Sequence, residues 1–423
     1  MRRTPCHRLV LSRVGLLSIS CAALTCGPLM VSAVTARGRS PVASAQPAAP
    51  ALDLRGTVSL DLDGAPVSKR YVLRAPDAAV WNGVLVVGAH GGMGGNNYSR
   101  DGRVIGTDET ALDDVVGTFA RARNFAYASM DRDGIGGTRQ GLQLTYAFTD
   151  LSARMVSERL GRSPERVYIV GLSMGGGIAR YAVEDPKQRY AGAVLVAGGA
   201  GDVPTRLERQ AQLARLWPDI DPRTHPSVAD TDAKVRAFAA AIGTPAAARP
   251  LWPFASASAT LANVRNSLDQ YGVTGLTDDE VLGFRVAAHQ SNPVLNAKLR
   301  EENTTGRVRV PTIEVVGTWD DIVLREVQAY KAKVLAQTDT SPDRHRLYQV
   351  EGVWHMSNDD DGVASFQFIA TKMGLGADVA DAMGSGPSYL PTVRDAFELL
   401  HEWVTTGTAP PPDRTLAPGA PLR

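Results

Sequence analysis

The sequence predicts an α/β protein whose core is a doubly wound, mostly parallel sheet with a helical insertion. Three observations lead to this fold class. Apolar runs of strand length alternate with helical patterns between residues 82 and 200, and the strands of a parallel sheet need such helical crossovers. The alternation stops after residue 202 and resumes with an apolar run at 311–317. We therefore expect one sheet that is interrupted by an insertion without strands.

The first 45 residues differ in composition from the rest of the 423-residue chain. Four arginines precede an apolar run at 14–34, and the small residues Ala43, Ser44 and Ala45 follow it. A basic, an apolar and a small-residue region in this order are typical of a secretory signal peptide. We expect cleavage near Ala45 and secretion of the mature chain. The alternative is an uncleaved leader that anchors the chain in a membrane.

Removal of this leader would change the chemistry that the chain offers. All three cysteines, Cys6, Cys21 and Cys26, lie in it, so the mature chain would have neither a disulfide nor a thiolate metal ligand. Without the six arginines of the leader, 39 basic and 44 acidic side chains give a net charge of −5. This charge does not favour nucleic acid as a partner. We also expect no stable membrane span in the mature chain.

Two antiparallel strands are predicted to open the sheet. Apolar and polar residues alternate from Val58 to Leu62, and a second apolar run lies at 71–73, as in hairpin strands. Residues 83–88 are a continuous apolar run, which a parallel sheet buries on both faces. The alternation then continues with a helix around 112–121, a strand at 125–129, a helix marked by Ala147, Leu151 and Met155, and strands at 167–170 and 193–197.

A histidine and several glycines follow the predicted third strand, with the sequence AHGGMGG at residues 89–95. Glycines leave backbone N–H groups bare, and such a loop can bind the oxyanion of an acyl-transfer intermediate. The other interpretation is a flexible glycine loop. The position of this stretch ahead of the motif at Ser173 favours the oxyanion loop.

The motif at Ser173 is the feature around which the rest of the chain is organised. A β-branched apolar run leads into GLSMG at residues 171–175, and a helical pattern follows. This strand–turn–helix context is that of a nucleophile elbow, and the alternative is an ordinary glycine-rich turn with a buried serine. Side chains at Gly171 and Gly175 would collide across so sharp a turn. We therefore expect Ser173 to project its hydroxyl above the sheet edge.

Residues 203–309 are the predicted insertion. Helical patterns at 207–216, 233–241 and 278–288 are joined by proline-bearing turns. A helical insertion between two sheet strands is expected to cap the active site, with the ligand pocket where cap and sheet meet. The predicted boundaries are then 1–45 for the signal peptide, 46–54 for a linker, 55–202 and 310–408 for the two parts of the core, 203–309 for the cap and 409–423 for a disordered tail.

A serine nucleophile needs a base to take its proton and a carboxylate to hold that base. In a fold of this kind the order along the chain is serine, acid, histidine. His355 follows the last predicted sheet strand of the core, at 346–350, and is our candidate for the general base. Asp320 directly follows the strand at 311–317 and is our first choice for the acid, ahead of its neighbour Asp321 and of Asp202.

The stretch from His90 to the helix near Trp403 resembles an α/β-hydrolase-fold serine hydrolase. The sequence GTWDDIV at 317–323 is similar to the acid turn of that family, and VWH at 353–355 resembles its histidine loop, with tryptophan where a small residue is often found. The ending at 400–411 resembles that of secreted tannase and feruloyl-esterase-like hydrolases. The resemblance implies that Asp320 is the acid of a catalytic triad.

The same resemblance implies an oxyanion hole and a reaction. The N–H of Met174 and an N–H from the stretch Gly91, Gly92 and Met93 would bind the oxyanion. The implied protein is a secreted serine hydrolase that cleaves small-molecule or polymeric carboxylic esters through an acyl-enzyme. An amidase or peptidase, an extracellular acyltransferase, and a non-catalytic secreted binding protein are the alternatives. We see no phosphate loop or metal-ligand pattern and expect no cofactor, and the sequence leaves the oligomeric state open.

Overall fold

A sheet of nine strands lies at the centre of the part of the chain that the structure describes. The computed structural model describes residues 52–92, 96–132, 138–221, 229–355, 361–372, 374–375 and 377–423. The leader at 1–45, for which we predict a signal peptide, lies outside these residues. The strands are β1 (Leu52–Leu62), β2 (Ala65–Ala75), β3 (Val84–Ala89), β4 (Asn96–Tyr98), β5 (Val104–Thr107), β6 (Ala126–Met130), β7 (Arg166–Leu172), β8 (Gly192–Val196), β9 (Thr312–Gly317), β10 (His345–Val350) and β11 (Arg414–Leu416).

Helices connect most of these strands. They are α1 (Thr118–Ala122), α2 (Thr138–Leu160), α3 (Met174–Glu184), α4 (Val203–Leu216), α5 (Ala233–Ile242), α6 (Pro253–Ser258), α7 (Leu261–Gln270), α8 (Asp278–Leu282), α9 (Pro293–Glu302), α10 (Leu324–Leu335), α11 (Asp361–Lys372), α12 (Ala377–Ser385) and α13 (Leu390–Thr406).

The order of the strands confirms the predicted doubly wound, mostly parallel sheet. The order is β1-β2-β6-β3-β7-β8-β9-β10-β11, and β4 and β5 form a separate hairpin. The pairs β1–β2 and β2–β6 are antiparallel, as expected for the opening strands, and the pairs from β6–β3 to β10–β11 are parallel. The carboxyl ends of the parallel strands therefore meet along one edge, where loops from distant parts of the sequence come together.

Two apolar clusters cover the two faces of the sheet. Successive side chains of a strand point to opposite faces, and in β3 Val86 belongs to one cluster while Leu85 and Val87 belong to the other. Helix α13 packs in the cluster of Val86, and α2 and α3 pack in the other. Burial on both faces explains why the central strands are continuous apolar runs rather than alternating ones.

The segment between β8 and β9 forms only helices in its described residues, 197–221 and 229–311. Two apolar clusters hold these helices together, and the tryptophans at 217 and 252 are buried in the second of them. Trp217 and Trp252 are thus core residues of the insertion. Five of the helices begin at a side chain that accepts a backbone N–H; these N-caps are Asp202, Asp232, Thr260, Thr277 and Asn292.

The structure corrects two predicted segments, the linker at 46–54 and the disordered tail at 409–423. The tail from residue 409 is not disordered throughout, because β11 pairs in parallel with β10 and the Leu416 side chain is buried. Asp413 fixes this strand by accepting the N–H of Leu347 at 2.9 Å and by pairing with Lys331. The predicted linker at 46–54 is too long, because β1 already begins at Leu52. A short strand is held mainly by backbone hydrogen bonds, and the amino-acid composition does not show where such bonds form.

Candidate active site

Ser173 lies at the sharp turn between β7 and α3. Its φ and ψ angles are 55° and −122°, a conformation that costs energy in a residue with a Cβ atom. Three backbone hydrogen bonds hold the turn. Ser173 donates to the carbonyl of Val196 at 2.9 Å, and its own carbonyl accepts from Gly177 at 3.2 Å and from Gly199 at 2.8 Å. The neighbouring strand and helix therefore fix the backbone of the serine.

The glycines of the motif are required by close backbone contacts. A Cβ atom on Gly171 would lie 2.2 Å from the carbonyl oxygen of Gly175, and one on Gly175 would lie 1.7 Å from that of Ala89. Both distances are far below any contact that atoms tolerate. The predicted collision across the turn is thereby confirmed.

The glycine loop after β3 lies directly against the serine. A Cβ atom on Gly91 would be 2.5 Å from the Cβ and 3.1 Å from the Oγ of Ser173. Gly92 has a φ of 73°, which favours glycine. Met174 is the first residue of α3, where backbone N–H groups have no partner within the helix. Met93 lies outside the described residues, and the role of Gly91, Gly92 and Met174 as oxyanion donors remains a prediction.

The structure brings His355 and Asp320 to Ser173. The Nε2 atom of His355 lies 2.9 Å from the Ser173 Oγ, and its Nδ1 atom lies 2.9 Å from the Oδ2 of Asp320. A carboxylate accepts, so Nδ1 carries the proton and Nε2 is left to accept from the serine hydroxyl. Asp320 is fully buried, and its Oδ1 accepts the N–H groups of Ile322 at 3.2 Å and Val323 at 3.1 Å. Both oxygens of this carboxylate are therefore engaged.

Charge and packing set the properties of the His355 imidazole. Burial by itself lowers the pKa of His355, but the carboxylates of Asp320 and Asp321 raise it above its ordinary value overall. The Tyr389 hydroxyl donates to the His355 carbonyl at 3.0 Å, and Trp354 packs in an apolar cluster with α11, α12 and Leu251 of the insertion. The tryptophan in the histidine loop thus braces the loop against its neighbours.

The two alternative acids have other surroundings. Asp202 caps α4 by accepting the N–H of Thr205 at 3.0 Å, and it forms an ion pair of 3.0 Å with Lys333. The Oδ2 of Asp321 is buried and has no hydrogen-bond partner in the described part of the chain. Burial and the charge of Asp320 raise the pKa of Asp321 to about 7. Of the three candidates, the structure places Asp320 against His355.

A buried polar group supports the glycine loop from behind, and the sequence did not reveal it. The Nε2 atom of His90 lies 3.0 Å from the Asp108 Oδ1, and its Nδ1 atom lies 2.7 Å from the carbonyl oxygen of Gly91. The other oxygen of Asp108 accepts the N–H of Arg132 at 2.6 Å, and the Arg132 guanidinium donates to the His90 carbonyl at 3.3 Å. These contacts link the loop beside Ser173 to the segment between β5 and α1 and to the end of β6.

A cavity of about 340 Å³ opens at Ser173. Helices α4 and α6 of the insertion form one wall, and the turn after β9 with the start of α10 forms the other. Its polar and charged lining includes Arg206, Arg209, Asp321, Arg325 and Glu326. The insertion therefore contributes side chains to the space in front of the serine, as we predict for a cap.

The other described histidines are engaged elsewhere. The Nε2 atom of His345 lies 3.3 Å from Glu314 within the core, the Nδ1 atom of His401 lies 3.0 Å from the Tyr168 hydroxyl, and His289 stacks on Phe284. In the described ranges no group of three or more His, Cys, Asp or Glu residues is arranged to hold a metal ion. No helix among the residues that the structure describes combines the length and apolarity needed to cross a membrane.

Fold and site together define an α/β hydrolase, because the elbow, the acid turn and the histidine loop lie at the carboxyl ends of parallel strands in the order that this fold requires. Residues 110–361 match the model of the family described as serine aminopeptidase, S33. The chain belongs to this family.

Several solved esterases are similar in structure. Feruloyl esterase B from Aspergillus oryzae is 12% identical over 85% of this chain and 81% of its own, with a TM-score of 0.48. A bacterial heroin esterase is 18% identical over 78% and 84%, with a TM-score of 0.42. Carboxyl esterase 2 from Tuber melanosporum is 16% identical over 82% and 88%, with a TM-score of 0.39. A comparison with curated proteins finds no match.

Proposed function

We propose that this protein is a serine hydrolase that cleaves carboxylic esters through an acyl-enzyme intermediate. One observation carries the proposal: the two contacts of 2.9 Å that join the Ser173 Oγ to the His355 Nε2 and the His355 Nδ1 to Asp320. A hydroxyl is a weak nucleophile near neutral pH, and this arrangement supplies the base and the carboxylate that activate it.

In the proposed reaction, Ser173 attacks the ester carbonyl while its proton passes to the Nε2 of His355. Asp320 stabilises the imidazolium that forms and holds the imidazole in the required tautomer. The N–H of Met174 and an N–H of Gly91 or Gly92 bind the negative oxygen of the tetrahedral intermediate. His355 then gives the proton to the leaving alcohol. In the second half of the reaction, His355 takes a proton from water, the water attacks the acyl-enzyme, and the acid is released from Ser173.

A fluorophosphonate probe tests the nucleophile directly. We expect the probe to label the wild-type protein at Ser173 and not to label Ser173→Ala. The rate of ester hydrolysis should fall by roughly four to six powers of ten in this variant. The alternative of a binding protein without catalysis predicts no label on the folded wild-type chain. Hydrolysis of a 4-nitrophenyl ester by Ser173→Ala at the wild-type rate would contradict the proposal.

An aminopeptidase is the second candidate, and one feature of the cavity favours it. Asp321 and Glu326 line the space at Ser173, where a carboxylate could bind the protonated amine of a peptide, and the family is described as serine aminopeptidase. Two other acids of the insertion, Asp219 and Glu280, do not line this cavity. Asp219 pairs with Lys234, and Glu280 accepts bonds at the start of α8.

Parallel assays separate the two candidates. An ester hydrolase turns over 4-nitrophenyl esters with a far higher kcat/KM than aminoacyl 4-nitroanilides, whereas an aminopeptidase cleaves the anilides and loses this activity when the amine is acetylated. Comparable cleavage of free and acetylated anilides would disagree with the second candidate.

We also propose that the protein is exported, on the strength of the basic, apolar and small-residue order in residues 1–45. The mature chain is then expected to begin near residue 46. Sequencing of the N-terminus of protein recovered from the medium tests this, and an intact leader on membrane-bound protein would support the anchored alternative.

A further inference from the structure

Arg209 places a guanidinium in the cavity at Ser173 that the proposed reaction does not use. It lies on α4, and both its side chain and Ser173 line the cavity. Its Nε and Nη2 atoms are shielded from solvent and have no hydrogen-bond partner in the described part of the chain. None of the ion pairs of 4.0 Å or less between described residues involves it. An unpaired buried charge is costly, so a protein that keeps one usually has a use for it.

The two other arginines of the cavity have hydrogen-bond partners of their own. The Arg206 guanidinium donates to the Tyr271 hydroxyl, which in turn donates to Glu302. Arg325 is exposed and donates to Gln328 at 3.3 Å. These two arginines therefore have hydrogen-bond partners, whereas the Nε and Nη2 atoms of Arg209 have none in the described part of the chain.

The acidic side chains of the cavity are weaker acids than usual. Burial and the neighbouring charge of Asp320 raise the pKa of Asp321 to about 7. Burial likewise raises the pKa of Glu326, against the opposing effect of Arg206. Burial also lowers the pKa of Arg209. The ordinary pKa of a guanidinium is so high, however, that Arg209 stays protonated at any ordinary pH. Arg209 thus keeps its positive charge, while these two carboxyls are protonated more readily than ordinary ones.

We propose that Arg209 binds a carboxylate of the substrate, so that the preferred substrates are small esters that carry a free carboxylate. This inference rests on the proposed ester hydrolysis and names the substrate class of that same site. Because Nε and Nη2 are shielded, Nη1 is the nitrogen of Arg209 that can donate to a carboxylate oxygen, in a charge-assisted hydrogen bond.

The size of the cavity limits the substrate further. A volume of about 340 Å³ is at the lower end of the range for ligand pockets, roughly 300 to 1,000 Å³. The ester and the carboxylate must therefore be separated by a short linker, as in the monoester of a small dicarboxylic acid.

A matched pair of substrates tests the inference. Monoethyl glutarate carries the carboxylate, and its primary amide, ethyl glutaramate, has the same shape without the charge; release of ethanol measures both reactions. We expect the wild-type protein to prefer the acid in kcat/KM. Arg209→Met should lower kcat/KM for the acid by roughly 10- to 100-fold, the usual effect of losing hydrogen bonds to a charged group. The kcat/KM for ethyl glutaramate should stay within about threefold of the wild-type value.

Two further variants make the outcome unambiguous. Arg215→Met removes the same charge from the same helix at an exposed position that does not line the cavity, and should leave the preference for the acid unchanged. Arg209→Lys keeps the positive charge and should retain part of the preference.

The inference is overturned if the wild-type protein hydrolyses both substrates equally, or if Arg209→Met slows both equally at an unchanged melting temperature. The second result would mean that Arg209 holds the insertion rather than the substrate. Failure of the proposed function would give another result, because Ser173→Ala would then still hydrolyse the ester bonds of both substrates. Dependence on Ser173 without a preference for the acid refutes only the substrate class.

Discussion

The two sides of the cavity at Ser173 differ in how completely their polar groups are satisfied. On the sheet side, Asp320 uses both oxygens, and both nitrogens of His355 have a contact of 2.9 Å. On the other side, Arg209 and Asp321 each have buried side-chain atoms without a hydrogen-bond partner among the described residues. The first arrangement is fully hydrogen-bonded, and the second leaves polar atoms unpaired.

This contrast shows how the molecule divides its two tasks. Groups that take part in bond making need fixed positions before the substrate arrives, because any reorganisation adds to the barrier. Groups that choose the substrate need free hydrogen-bonding capacity, and their burial strengthens the penalty for a ligand that leaves them unpaired. Substitutions on the sheet side should therefore abolish turnover, and substitutions on the other side should change preference or pH dependence.

The largest effect is expected from Asp320→Asn. The amide cannot stabilise the imidazolium and favours the wrong tautomer of His355, so kcat should fall by about four powers of ten. Asp202→Asn is the matched control, because that side chain caps α4 and pairs with Lys333. Steady-state rates on a 4-nitrophenyl ester measure both. A large loss in Asp202→Asn with little loss in Asp320→Asn would reverse our assignment of the acid.

An intermediate effect is expected from Gly91→Ala. The new methyl group would lie 2.5 Å from the Ser173 Cβ, so the loop must move away from the serine and carry its N–H groups with it. We expect kcat to fall by about two to three powers of ten, as when one oxyanion donor is lost. Gly56→Ala on β1 is the control, because its nearest contact would be an ordinary 3.4 Å to Tyr71. Equal rates for both variants would place the oxyanion donors elsewhere.

The smallest effect is expected from Asp321→Asn, and it concerns pH. His355 acts as a base only when neutral, and the charges of Asp320 and Asp321 raise its pKa, so activity falls as the pH drops through that raised value. Removing the Asp321 charge should move this acid limb to lower pH by roughly a few tenths of a unit, the size of one screened charge. The pH profile of kcat/KM measures it, and a shift towards higher pH would contradict the stated interaction.

The same variant has an expected signature in stability. The pKa of Asp321 is raised from 3.8 to about 7 in the folded protein, so the folded state binds this proton more tightly than the unfolded state. Stability is therefore lost as the pH rises from about 4 to about 7. Asparagine avoids this loss, and we expect Asp321→Asn to melt roughly 2 to 4 °C above the wild-type protein at pH 8, with a smaller difference at pH 5. An equal difference at both pH values would show that Asp321 does not titrate in this range.

Much of the sheet was predictable, because its signals are local. Strands buried on both faces are continuous apolar runs, and the elbow at Ser173 is encoded in five consecutive residues. Candidates for the acid and the base followed from chain order, since a residue just after a parallel strand must lie at the edge where the elbow lies. The position directly after the strand and the family resemblance both favour Asp320, and the distances distinguish it from its neighbour Asp321.

The supporting groups were not predictable in the same way. Asp108 and Arg132 reach His90 across the fold, and no spacing in the sequence announces such contacts. Arg209 is one of several arginines on α4, and its burial depends on how the insertion packs on the sheet. The sequence also gives little sign of helices α11 and α12, which lie between His355 and α13, because their small and apolar residues resemble a loop as much as a weak helix.

The separate apolar clusters of the insertion have a consequence for how such a protein can diverge. The two clusters that hold α4 to α9 together contain only residues of the insertion, and the sheet has its own. Free-energy changes at distant sites without shared partners add independently. Selection can thus exchange side chains within the two clusters of the insertion with little effect on the stability of the sheet.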